Sequence, residues 1–169
     1  MLRKEQTRVL KKFRDHVIKQ ARANLTRGKK NVSKDLYDSL EGNIKVNPNS
    51  FSLQFLMEEY GIYQDKGVSG VNKKYDTPFS FKKKKPPMQP LADWAKQRGM
   101  KLRDSKGKFK KGGYRSLGFI LQNYIFENGF KPSLFFTKPF EAAFKKLPNN
   151  FIDAYGLDFE EFLDFSLKQ

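Results

Sequence analysis

Cysteine is absent from this 169-residue chain, and histidine and tryptophan occur once each, at His16 and Trp94. The first absence excludes disulfide stapling and a cysteine-ligated metal site. With one imidazole, conventional zinc sites and a two-histidine iron site have too few ligands. A serine–histidine triad would have to be centred on His16, which sits beside Asp15 off the apolar stripe and reads as a surface residue. No apolar run approaches membrane-spanning length, and the opening Met1–Gln6 carries no apolar signal core. The expectation is therefore a protein made in a cytoplasm, without membrane contact. Acids are also scarce, 18 against 34 Lys and Arg, which leaves a net charge of +16.

What the chain does contain is phenylalanine, 17 of them with 7 tyrosines. Any single one is best read as core, and the surplus as anchors for a neighbouring subunit. The length suits one core with appendages. The charge is uneven. Between Lys66 and Arg115 stand sixteen Lys or Arg against Asp76, Asp93 and Asp104, whereas from Asn149 onward Asp153, Asp158, Glu160, Glu161 and Asp164 face only Lys168. A solvated basic loop is the commonest meaning of a lysine run. Counterion release from nucleic acid, or pairing with an acidic surface on another subunit, are the two functional ones. The candidates for either are Lys82, Lys83, Lys84, Lys85, Lys101, Arg103, Lys106, Lys108, Lys110 and Lys111.

Periodicity places the elements. Val9, Leu10, Phe13, Val17, Ile18 and Ala21 recur at three and four, an amphipathic helix ended by Gly28 and its flanking cations. A short helix is expected from Ser33, with Leu36 and Leu40 inward. Alternation on either side of Asn47-Pro48-Asn49-Ser50 predicts a β-hairpin with Phe51, Leu53, Phe55 and Met57 on the face against the first helix. Residues 68–87 form a long excursion anchored by Tyr75, Phe79 and Phe81. Pro90 starts a short helix in which Trp94 is a buried anchor, and Asp104–Gly113 is a second basic loop without phosphate-binding spacing. Leu117, Leu121, Tyr124 and Ile125 mark a helix closed by Asn128-Gly129. An extended segment 131–137 should join the hairpin as a strand, and a helix from Pro139 should be interrupted at Pro148. From Phe151, Tyr155, Phe159, Phe162 and Phe165 the final segment is expected to dock on something.

Two separated segments carry a resemblance. Tyr60-Gly61-Ile62-Tyr63-Gln64-Asp65-Lys66-Gly67 matches a Tyr-x-x-Tyr-x-(Glu/Asp)-x-Gly pattern, and Pro132, Phe136 and Pro139 match a later Pro-x-x-x-Phe-x-x-Pro pattern. With Asn31-Val32-Ser33-Lys34-Asp35-Leu36-Tyr37-Asp38-Ser39-Leu40 approximating a Thr-Gly-x-Leu-x-x-Ser-Leu segment whose Thr-Gly is missing here, the order resembles the head–tail joining, or tail-completion, family of tailed bacteriophages. Its wording is similar to versions from phages of gut Bacteroidetes (crAss-like). The resemblance implies a non-enzymatic virion protein, assembled in the bacterial cytoplasm. It would be a homo-oligomeric neck ring of 12 or 6 copies, bound to the portal or an adjacent ring protein and to tail proteins, and in passing contact with phage DNA.

The expectation is therefore an α+β fold. A long N-terminal helix packs on a small, mainly antiparallel β-sheet, with extended basic loops and C-terminal helices. Residues 1–169 form one domain, with a basic insertion at 68–113 and an acidic aromatic arm at 149–169. No catalytic residue, cofactor or metal is expected. The alternative is a sequence-independent nucleic-acid-binding protein using residues 66–115. A nuclease holding magnesium on Asp15, Glu58, Glu59 and Asp65 ranks last.

Overall fold

The computed structural model describes residues 4–29, 33–47 and 50–153. Their elements run α1 (Lys4–Arg27), α2 (Asp35–Asp38), β1 (Glu41–Asn47), β2 (Ser50–Leu56), α3 (Tyr60–Lys66), β3 (Val68–Ser69), α4 (Met88–Gln97), α5 (Tyr114–Asn128), β4 (Gly129–Phe130) and α6 (Thr137–Phe144), with further helical residues at 147–153. The architecture is α+β. The chain forms two compact units. One combines residues up to Glu58 with those from Leu134, and the other is Glu59–Ser133.

The first unit is organised by α1. Leu10, Phe13, Val17, Ala21 and Leu25 are buried at spacings of three and four, as the apolar stripe requires. The helix stops at Arg27, where the Gly28 amide still donates to the Asn24 carbonyl at 2.9 Å and the left-handed φ of 52° falls on Lys29 rather than on the glycine. The hairpin β1–β2 is antiparallel, in a register from Glu41 opposite Leu56 to Asn47 opposite Ser50; the expected turn residues Pro48 and Asn49 lie outside the described residues.

One end of the core gathers Ala21, Leu25, Leu36, Leu40 and Phe135. The other is a set of rings. Phe55 lies 6.3 Å from Phe13, 5.2 Å from Phe136 and 5.9 Å from Phe140, all edge-on, and Phe140 stacks on Phe144 at 5.7 Å. Such aromatic pairs add about 0.5–1.5 kcal/mol each beyond the area they bury.

Three local expectations are corrected in this unit. Residues 131–137 do not join the hairpin, whose sheet among the described residues contains β1 and β2 alone. Leu134 takes a left-handed φ of 49°, which breaks the extended run, and Phe135 turns into the core at 2% exposure. The Asn24 side-chain amide holds the Phe135 carbonyl at 3.1 Å. The next helix begins at Thr137, so Pro139 sits in its first turn, where no amide proton is needed. Finally, the break expected at Pro148 falls at Lys145 and Lys146; Pro148 instead lies in the first turn of the helical residues 147–153.

In the second unit α4 packs on α5. Ala92, Ala95, Leu117 and Gly118 form the buried seam, and a methyl group at Gly118 would stand 2.8 Å from the Ala92 Cβ. Trp94 is not buried as expected. The face committed by Ala92 and Ala95 turns it outward to 39% exposure, with the Arg98 guanidinium 5.5 Å from its ring centre. Residues 68–113 lie within this unit, where β4 returns to pair antiparallel with β3, Val68 opposite Phe130 and Ser69 opposite Gly129.

Candidate interface on the second unit

The β3–β4 pair is two residues long, so its stability must come from what surrounds it. Gly67 has φ 72° and ψ 176°, and Gly129 has φ 64° and ψ −159°. Side-chain-bearing residues almost never occupy that backbone region. A methyl at Gly67 would lie 2.5 Å from the Pro132 nitrogen and 2.7 Å from the Phe130 carbonyl oxygen, while one at Gly129 would overlap the Val68 carbonyl. Two stretches more than 60 residues apart thus meet backbone to backbone. The Ser133 hydroxyl closes the junction by donating to the Gln64 carbonyl at 2.5 Å.

From this junction the excursion 70–81 is tied down. Val71 and Asn72 amides donate to the Phe126 and Glu127 carbonyls at 2.9 Å each. The buried Ser69 amide donates to Phe79, its carbonyl accepts from Phe81, and its hydroxyl both accepts from the Tyr75 amide at 2.9 Å and donates to the Tyr75 carbonyl at 3.2 Å. The Thr77 hydroxyl donates to the Gly67 carbonyl at 2.9 Å. Phe79 is thereby set against Tyr63 of α3, ring centres 4.8 Å apart, and Phe81 against Phe126 of α5 at 6.2 Å.

The lysine run follows directly. Lys82, Lys83, Lys84 and Lys85 are all exposed. Lys85 is fixed, its Nζ 2.7 Å from Asn123 Oδ1 and 5.7 Å from the Phe126 ring centre, and Gln122 of α5 donates to the Pro86 carbonyl at 2.7 Å. The result is an open cleft of about 760 Å³ whose wall is Tyr60, Tyr63, Val68, Phe79, Phe81 and Phe130 and whose rim is Lys82–Lys85.

The second basic segment is a tight hairpin. Arg103 bridges to Phe109, and the Asp104 carboxylate accepts from the Lys106 and Lys108 amides at 2.9 Å each, an Asx-type turn that needs no partner element. Phe109 is 64% exposed and carries two cations on its ring, Arg103 at 4.2 Å and Lys101 at 5.4 Å. Lys106, Lys108, Lys110 and Lys111 are exposed around it. The unit from Glu59 to Ser133 holds 17 Lys or Arg against six Asp or Glu, +11 of the chain's +16.

Of the framework residues, Tyr60, Tyr63, Asp65, Gly67 and Pro132 come together in this unit. The two tyrosines are 46% and 44% exposed on α3, whereas Asp65 is buried. Phe136 and the buried Pro139 belong instead to the core of the first unit. Phe151 is half-buried there against Phe51, at 5.2 Å, and Tyr155, Phe159, Phe162 and Phe165 lie outside the described residues. Sequence reasoning missed Ser69, Thr77, Asn123 and Phe126. The aromatic spacing Tyr75, Phe79, Phe81 was the signal that the excursion covers a surface. Among the described residues no three His, Cys, Asp or Glu side chains stand together as a metal site, and no helix is long and apolar enough to cross a membrane.

Comparisons with family models, with curated proteins and with solved structures found no match to this chain.

Proposed function

We propose that this protein is a structural subunit of a ring at the head–tail junction of a tailed phage, assembled in the host cytoplasm and carried in the virion neck. It would connect the portal to the tail without catalysing a reaction. The observation that supports this reading is that Gly67, which ends the first resembling segment, meets Pro132, which opens the second, backbone to backbone, since residues more than 60 positions apart have reason to be kept together when they build one frame. A ring arises from unlike surfaces on each copy, and a basic unit of net +11 together with a final segment of acidic and aromatic sequence would supply them. Copy number would be 12 under portal symmetry or 6 under that of a tail tube.

The test is quantitative mass spectrometry of purified particles from a phage encoding this chain, together with particles lacking its gene. The reading expects about 6 or 12 copies per particle, and unjoined heads and tails in the deletion. Complete particles without the protein refute it. The alternative, a free nucleic-acid binder, draws on one specific feature, the exposed Phe109 with Arg103 and Lys101 on its ring. Tight binding by the isolated protein that survives high salt would favour it, because a channel lining needs only weak phosphate contacts. Magnesium-dependent DNA cleavage abolished by Asp65→Asn would overturn both.

A further inference from the structure

The cleft on the second unit has a chemistry that one other part of this chain complements. Its wall is apolar and aromatic, with Tyr60 and Tyr63 open to solvent, and Lys82, Lys83 and Lys84 stand exposed along its edge. Duplex DNA would satisfy those lysines but hides the faces of its bases, so it would leave the aromatic wall uncovered. The wall calls for an apolar occupant and the rim for an anionic one. Residues 155–165 carry both, with Tyr155, Phe159, Phe162 and Phe165 interleaved with Asp158, Glu160, Glu161 and Asp164 and no Lys or Arg among them. Phe151, just before, already packs on Phe51 of its own hairpin.

We infer that the lysine-rimmed cleft of one copy receives the acidic aromatic segment 155–165 of a second copy. The assignment of the occupant to another copy rests on the ring reading above, in which each subunit offers two unlike surfaces to its neighbours. Aromatic side chains seated in the cleft would supply the binding energy, and the four acids opposite the lysines would set its direction and speed of encounter.

The experiment uses the full chain with Phe162→p-benzoylphenylalanine, prepared as an equal mixture of unlabelled and 15N-labelled protein, irradiated and digested. The expected products join the Phe162 peptide to peptides containing Tyr60–Tyr63 or Phe79–Pro87, in mixed-isotope pairs. Products confined to single-isotope pairs show that the segment folds onto its own chain and overturn the inference, as do products that avoid the cleft. A fluorescent peptide of residues 150–169, titrated with the full protein, should lose at least tenfold in affinity on Lys82→Glu, Lys83→Glu and Lys84→Glu combined. Unchanged affinity refutes the site, and displacement of the peptide by a mixed-sequence single-stranded oligonucleotide that binds more tightly reassigns the cleft to nucleic acid. Rings in particles without these cross-links refute the docking alone; cross-links in a protein absent from particles refute the neck function alone.

Discussion

Adding one methyl group at Gly129 tests the junction that organises the second unit. Gly129→Ala forces a side chain into a backbone region used almost only by glycine, at about 1–3 kcal/mol. The new Cβ would also overlap the Val68 carbonyl and stand 2.5 Å from the Gly70 nitrogen. These are backbone atoms of β3 and of the residue that follows it and cannot swing aside, so β3 and β4 must separate. The Val71 and Asn72 amides bonded to Phe126 and Glu127 are then strained as well. Two or three lost hydrogen bonds at about 1 kcal/mol each bring the total to roughly 3–6 kcal/mol. A unit spanning Glu59–Ser133 has a stability of about 4–11 kcal/mol by size alone, so the variant should lose much of it. Trp94, the only tryptophan, lies in α4 of that unit, so its fluorescence in urea follows this unit. Gly107→Ala is the control. Its φ is also positive, at 80°, but nothing lies within 4 Å of the added methyl, so it should cost only about 1–2 kcal/mol. If the two variants shift the Trp94 midpoint equally at unchanged slope, the close approach contributes nothing and the junction has been misjudged.

In the first unit, Phe135→Ala empties the largest fully buried side chain among the described residues and should destabilise by about 3–5 kcal/mol; loss of amide protection along α1 and α6 is the readout. Ser69→Ala removes a buried hydroxyl that both donates and accepts, and should cost about 1–3 kcal/mol and raise hydrogen exchange at Tyr75–Phe81 with little effect elsewhere. Replacing Lys82, Lys83 and Lys84 by serine should leave the fold intact and lower the salt dependence of duplex DNA binding by about 0.9 for each phosphate contact removed; an unchanged slope shows that these lysines do not face DNA.

The parts of the fold legible in the sequence are those written in local periodicity. The stripe from Leu10 to Leu25 and the alternation through Phe51, Leu53 and Phe55 each repeat often enough to identify α1 and β2. Trp94 was misjudged because a ten-residue helix offers few positions to fix its buried face, and two alanines claim it. The supposed strand at 131–137 failed for a related reason. Its aromatic spacing suits a strand, but Leu134 adopts a left-handed conformation that no pattern announces, and the real pairing is two residues long with its partner some 60 residues away. At the candidate interface the charge was plain from composition. The aromatic wall was not, since Tyr63 meets Phe79 only after hydroxyls of Ser69 and Thr77 have folded the excursion back.

The closed junction also bears on the order of events in folding. The first unit is discontinuous, and Phe135 must reach Ala21 and Leu25 across the whole intervening stretch. Closing a loop of some 75 residues costs about 2 kcal/mol more than closing one of fewer than ten. When Gly67 meets Pro132 and Ser133 meets Gln64, that stretch shortens to a few residues at its mouth. Early formation of the second unit would therefore speed the first without touching its core, and Gly129→Ala should slow the first unit's refolding while leaving its unfolding rate unchanged.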